Sequence, residues 1–173
     1  HHRAHLASAF FASPFEDAAI LSIDGSGDFT TTMLAVGRGN QIEVLDSIDF
    51  PVSAGLVYTA FTRYLGFPHY GDEYKVMGLA PYGEPKYVDQ IRKILQFDDD
   101  GLFSWDADYF KNPNEMKLGY ENNIPTVSIL YSQKMVEVFG PARDSKEELT
   151  QKHKDIATSV QKVKSPVLLY RQN

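Results

Sequence analysis

Three histidines lie within the first five positions of this 173-residue sequence, as His1, His2 and His5. Residues four apart on a helix face the same side, with Cβ atoms about 5–6 Å apart, so the imidazoles of His1 and His5 are spaced to bind one metal ion. The helical HExxH zinc motif uses the same spacing. His2 points elsewhere and is expected to neighbour the ion. A purification tag is the alternative explanation, although an apolar helical pattern continues from the histidines without a linker.

A carboxylate that could complete a metal site is Asp24, at the end of a short apolar segment, residues 17–24. This segment is predicted to be a buried strand, and side chains at the ends of such strands are held rigidly and face clefts. Two imidazoles and one carboxylate with open positions suit iron(II), the expected ion, and also manganese or zinc. Aspartate before a glycine turn is also a common turn-former, so a purely structural role stays open.

Small residues follow at Gly25, Ser26 and Gly27, which are predicted to form a turn. Their backbone N–H groups can approach a phosphate, and flanking carboxylates can hold a metal on it. The strand–turn–strand context is similar to the phosphate-binding hairpin of the actin-like ATPases. The segment has no P-loop lysine and precedes no helix, so neither a Walker A nor a Rossmann site fits.

A third unusual stretch is GDEYKVMGLAPYGEP, residues 71–85. It combines acidic residues, a lysine, glycines and prolines in a segment whose other residues are predicted to be buried. Glu73 and Lys75 either belong to a functional site or lie on the solvated face of a short helix. The glycines and prolines predict a tightly shaped loop after that helix.

The elements that would position these residues follow from hydrophobic period and turn signals. Three consecutive strands with tight turns are predicted at 17–24, 29–39 and 41–50. Helices are predicted at 1–12, 53–66, 71–83, 85–97, 145–164 and the second half of 124–140, with a short strand near 101–105. A meander followed by helices predicts an α/β fold with a mixed sheet.

Composition limits the function classes. Hydrophobic residues make up 43% and charged residues 23%, which is typical of a globular domain. The net charge of -6 and the lack of a basic stripe argue against a nucleic-acid partner. Cysteine is absent, which excludes thiolate metal sites and is compatible with a reducing cytoplasm. No apolar run is long enough to span a membrane, and no signal peptide is visible.

Together these stretches resemble the NodU/CmcH-type O-carbamoyltransferases. The resemblance covers most of the chain and is most specific in the string EYKVMGLAPYGEP; the matching segments lie at residues 1–32, 50–67, 71–89 and 151–161. The sequence begins inside a predicted helix and ends in an apolar run at 166–170. We therefore expect residues 1–173 to be part of one longer carbamoyltransferase domain.

The resemblance implies an actin-like ATPase (RNase H-like) fold followed by a C-terminal YrdC-like domain, which is absent from this sequence and would be its partner in the full-length protein. That second domain makes carbamoyl-adenylate from carbamoyl phosphate and ATP. The first transfers the carbamoyl group to a hydroxyl of a sugar, a nodulation factor or an antibiotic-type acceptor. The resemblance therefore predicts a small-molecule acceptor, and the fragment alone is expected to be inactive.

The family's metal-binding HxxxH pair falls on His1 and His5, and its strand-end carboxylate falls on Asp24. No segment matches the further carboxylate that the family supplies from later in its chain. Glu73 and Lys75 are expected near the ribose and phosphate of the adenylate. His2 is a candidate to take the proton of the acceptor hydroxyl, because histidine side chains commonly act as proton acceptors at neutral pH.

Two alternatives remain open. One is an actin-like module that binds nucleotide or metal without transferase activity. The other is a protein like the tRNA threonylcarbamoyl transferases, against which the acidic charge argues.

Overall fold

A computed structural model describes residues 1–97 and 102–167, the last four of these as backbone only. The apolar run predicted near the C-terminal end lies mostly outside the described residues. The described part is a mixed α/β structure, which confirms the predicted class at that level. Its three small sheets are all antiparallel, so the prediction of a mixed sheet is wrong for the described residues. None of the described helices has the length and apolarity that crossing a membrane requires.

The main sheet is the predicted meander. Strands β1 (Asp17–Gly27), β2 (Thr30–Arg38) and β3 (Gln41–Asp49) pair antiparallel in that order. The β2–β3 turn contains Gly39 at a φ of 57°, as the glycine pattern predicts. The turn predicted at residues 25–27 is wrong, because β1 continues through them and the chain reverses at Asp28 and Phe29, both at positive φ.

A bulge in β1 explains why the strand continues through small residues. Ile23 pairs with Thr32 and Gly27 pairs with Thr30, so residues 24–26 of β1 stand opposite a single residue of β2. The extra residues leave the regular ladder and bend the strand locally. Asp24 therefore lies at the start of a bulge inside β1, and the prediction that it ends the strand is wrong.

The first helix, α1 (His2–Phe11), packs on this sheet through Leu6 and Phe10, which form a small core with Ile20 and Ala35. Phe10 lies directly on the backbone at Gly37, where a Cβ would fall 2.5 Å from its ring. This close contact fixes α1 across the strands, with its N-terminal end near the β1 bulge.

The main core lies among the helices α2 (Ala54–Tyr64), α3 (Glu73–Leu79), α4 (Val88–Ile94), α5 (Gln133–Phe139) and α6 (Gln151–Val167). Its largest fully buried side chains include Phe61, Tyr64, Leu65, Ile91, Ile94, Met135, Phe139 and Ile156. The predicted helices exist, but α6 begins six residues later than 145 and α4 ends earlier than predicted.

Two short hairpins account for the remaining differences between the predicted and the observed secondary structure. Residues predicted as the end of a helix form β4 (Leu95–Phe97), which pairs with β5 (Phe103–Trp105). A second hairpin pairs β6 (Leu118–Glu121) with β7 (Ile124–Val127), and the sequence pattern predicts neither strand. Its turn places Asn122 and Asn123 at positive φ, which asparagine tolerates better than most residues.

Candidate metal centre

The N-terminal end of α1 meets the β1 bulge, and this contact assembles three polar side chains. His1 is the residue that precedes α1, and its ring lies directly on Gly27, where any Cβ would collide with the imidazole. His5 lies one turn further along the helix, with its Nε2 atom 3.1 Å from Nε2 of His1. Gly27 therefore makes room for His1, and this role was not foreseen from the sequence.

The three predicted ligand side chains point to a common region. Nε2 of His1 lies 2.7 Å from Oδ2 of Asp24, and Nε2 of His5 lies 3.8 Å from the same oxygen. Ligand atoms bound tetrahedrally at about 2.1 Å are separated by about 3.4 Å. The three separations of 2.7, 3.1 and 3.8 Å lie around that value, so the donor set fits one divalent ion.

The carboxylate of Asp24 is held by its own bulge. Its Oδ1 atom accepts a hydrogen bond of 2.7 Å from the Gly25 amide, which leaves Oδ2 facing the imidazoles. The two histidines are exposed and Asp24 is half-buried, so an ion could enter from solvent.

The N-terminal end of helix α2 packs against the bulge in β1 and holds it in place. Its N-cap, Ser53, accepts a hydrogen bond from the Leu56 amide and donates to the carbonyl oxygens of Gly25 (2.8 Å) and Asp24 (3.1 Å). Gly55 lies so close to the bulge that a Cβ there would fall 2.7 Å from the Cα of Gly25. The start of helix α2 and the β1 bulge are thus one packed unit.

His2 has a different environment from its two neighbours. It is only 2% exposed, its Nδ1 lies 2.8 Å from Oγ of Ser22, and its Nε2 lies 2.9 Å from the carbonyl oxygen of Thr30. Both ring nitrogens are therefore engaged by β1 and β2. The proposal that His2 takes a proton from the acceptor stays a prediction, and this geometry weighs against it because its ring is directed into the sheet.

A cavity of about 500 Å³ is lined by two of the three candidate ligands, His1 and Asp24. Its other polar lining residues include Ser26 after Asp24, Thr59 of α2 and Glu73 of α3. Its apolar lining residues include Leu56, Met77, Met116 and Leu118. A cavity that combines apolar lining with a few polar groups is typical of small-molecule sites.

Glu73, which lines this cavity, is held by a residue of α2. Thr59 Oγ1 donates a 2.7 Å hydrogen bond to Oε1 of Glu73. The neighbouring Tyr58 also lines the cavity, and burial, followed by the negative charge of Glu73, raises the pKa of its phenol above the usual value. Thr59 is a polar residue among the apolar positions of a predicted helix, and that signal could have pointed to it.

Lys75 does not reach the same cavity. Its Nζ pairs with Oδ1 of the buried Asp72 at 2.7 Å, and its side chain lines a second cavity of about 460 Å³ beside Phe67 and Arg143. The side chains of Glu73 and Lys75, which the resemblance places together, thus face different cavities. Among the predicted nucleotide-binding residues, only Gly25, Ser26 and Glu73 line the cavity beside the ligand side chains.

Comparison with known proteins identifies the family to which this chain belongs. All 173 residues match the carbamoyltransferase N-terminus family, and the chain belongs to that family. The uncharacterized protein sll1178 of Synechocystis is 46% identical over 98% of this chain, which covers 26% of that protein. Nodulation protein NolNO of Sinorhizobium fredii is 45% identical over 58% of the chain, covering 15% of NolNO. Nodulation protein NolO of Bradyrhizobium diazoefficiens is also 45% identical over 58%, covering 18% of NolO.

The nodulation-protein relatives support the NodU-type resemblance that the sequence motifs indicate. The chain spans about a quarter of the length of sll1178 and a smaller share of the two nodulation proteins.

Proposed function

We propose that this chain supplies the metal-binding part of the active site of an O-carbamoyltransferase. The reaction moves a carbamoyl group from carbamoyl-adenylate to a hydroxyl of a small acceptor, such as a sugar, a nodulation factor or an antibiotic. The observation that carries the proposal is the convergence of His1, His5 and Asp24, two of which line a cavity, in a chain of the carbamoyltransferase family.

Iron(II) is the proposed ion, and manganese and zinc suit the same donors. A bound divalent ion would supply a Lewis acid for the carbamoyl carbonyl or an orienting charge for the acceptor hydroxyl. The side chains of His1, His5 and Asp24 would hold it, and the Gly25 amide would keep the Asp24 carboxylate in place. The cavity beside them would bind the donor and acceptor and limit the access of water.

The wider features of the proposal come from the same resemblance. We propose that the meander and helices form part of an actin-like core, and that ATP and carbamoyl phosphate are converted to the adenylate by a YrdC-like domain. On that basis the 173 residues alone would neither make the adenylate nor transfer its carbamoyl group. Substrates of this kind also imply a cytoplasmic location and no nucleic-acid partner.

Metal content tests the site directly. The chain, loaded with iron(II) without oxygen and then desalted, is expected to retain about one ion. Asp24→Asn and His5→Ala should each weaken binding by more than the roughly 10–100-fold that loss of an outer partner costs. Asp17→Asn is the matched control, since Asp17 is an exposed residue at the other end of β1. Equal metal content in all four proteins would refute the site.

Transfer by the full-length protein tests the reaction. Labelled carbamoyl phosphate, ATP and a panel of simple sugars and amino sugars should yield a carbamoylated product only with the metal present. Metal binding without any product would favour the alternative, an actin-like module that lacks transferase activity.

A further inference from the structure

The lining of the cavity contains one carboxylate that the proposed metal site does not use. Among the described lining residues, the ionisable ones are His1, Asp24, Tyr58, Tyr70 and Glu73. His1 and Asp24 belong to the proposed ligand set. A phenol is ordinarily a poorer base than a carboxylate or an imidazole at neutral pH, because it ordinarily keeps its proton there. Glu73 is therefore the lining carboxylate, among the described residues, that remains available to accept a proton.

Glu73 is also held in a defined orientation. It is half-buried on the first turn of α3, and Thr59 of α2 donates a 2.7 Å hydrogen bond to its Oε1. Its Oε2 makes no hydrogen bond or ion pair with any described residue, which leaves an acceptor atom for a ligand. His2, the other candidate, has both ring nitrogens engaged by the sheet.

We propose that Glu73 is the general base of the transfer reaction, an inference that rests on the proposed function. Glu73 takes the proton of the acceptor hydroxyl as that oxygen forms a bond to the carbamoyl carbon. The bond between that carbon and the phosphate oxygen of the adenylate breaks, and AMP leaves with the electron pair. General-base catalysis by a positioned side chain typically contributes about 10²–10⁴-fold to the rate.

The role of Glu73 as base differs from contact with the adenylate ribose, and steady-state kinetics separate the two. In the full-length protein, Glu73→Gln keeps the shape of the side chain and its hydrogen bond from Thr59 while removing its basicity. We expect kcat to fall by about 10²–10⁴-fold, with the KM for the donor and the iron content unchanged. Glu84→Gln, a change at an exposed glutamate paired with Lys86, is the matched control and should behave as wild type.

The pH profile supplies an independent readout. The other ionisable groups that line the cavity with Glu73 are Tyr58 of α2, Tyr70, His1 and Asp24. If Glu73 is the base, the acidic limb of kcat/KM is lost in Glu73→Gln, whereas a limb due to His1 or Asp24 would persist. Glu73→Ala provides a second variant, and formate or acetate should restore part of its activity.

Other results of these experiments would contradict either the role of Glu73 or the proposed function. A raised donor KM with kcat unchanged would make Glu73 a binding residue and overturn the inference, as would loss of iron from Glu73→Gln. Wild-type kcat in that variant would also overturn it while leaving the proposed function standing. Absence of product from the wild-type protein across the acceptor panel would instead refute the proposed function, and the inference with it.

Discussion

At the scale of single residues, two adjacent histidines have opposite environments. Consecutive residues on a helix are rotated by about 100°, so His1 and His2 cannot face the same way. His1 faces Asp24 and the cavity, whereas His2 is directed between β1 and β2 and is 2% exposed. The ring of His2 therefore links the start of α1 to the sheet that carries Asp24.

His2→Ala tests this structural role. Removal of the ring leaves the Ser22 hydroxyl and the Thr30 carbonyl without their partner in a buried position, and we expect a loss of about 2–4 kcal/mol in the free energy of unfolding. Urea unfolding of the chain measures this loss. Arg3→Ala, at an exposed position of the same helix, is the control and should change stability by less than about 0.5 kcal/mol. Unchanged stability with lost transfer would restore His2 as the candidate base.

At the scale of elements, the sequence indicates the meander, the first helix and the spacing of His1 and His5, because these depend on local periodicity and turn residues. It does not indicate that β1 continues through Gly25 and Gly27. That continuation depends on Ser53, which lies 28 residues beyond Gly25 and donates to its carbonyl. The same limit applies to β4, because its pairing with β5 overrides the helical pattern of residues 95–97.

The contact between α2 and the bulge can be tested with two glycines. A Cβ at Gly55 would fall 2.7 Å from the backbone of Gly25, whereas Gly78 of α3 has no atom within 4 Å of such a position. Gly55→Ala should lower the free energy of unfolding by about 1–3 kcal/mol and reduce iron retention, because the bulge must move. Gly78→Ala should raise stability by about 0.5–1 kcal/mol with iron retention unchanged. Thermal unfolding and metal analysis check both, and full retention of iron by Gly55→Ala would contradict the coupling.

At the scale of the whole molecule, distant parts of the chain build the cavity. The cavity is lined by His1, which precedes α1, and by residues of α2, α3 and β6, namely Thr59, Glu73 and Leu118. The three candidate ligands can be selected from the sequence because their residue types and the spacing of the two histidines are visible there. Thr59 and Leu118 cannot, because their contribution depends on packing between elements that are far apart in sequence.

Helix α6, from the far end of the described chain, contacts the loop that follows α3 through Asp155. The carboxylate accepts hydrogen bonds from the Glu84 amide (2.9 Å), Gln151 (2.9 Å) and Lys86 (3.0 Å). Burial by itself would raise the pKa of Asp155, but these donors together hold it below its usual value. The carboxylate thus stabilises the loop that follows α3 and ties it to α6.

Asp155→Asn should lower the free energy of unfolding by about 1–3 kcal/mol at neutral pH, because the charged partner of Lys86 is lost. Since the folded-state pKa of Asp155 is lowered, its stabilising effect is complete above the unfolded-state value of about 3.9 and is lost as the pH falls through the folded-state value. The difference between wild type and variant should therefore shrink in acid. Urea unfolding from pH 7 to pH 3 measures it, with Glu137→Gln on the exposed face of α5 as the control. A difference that stays constant over this range would show that the charge of Asp155 contributes nothing to the packing of α6.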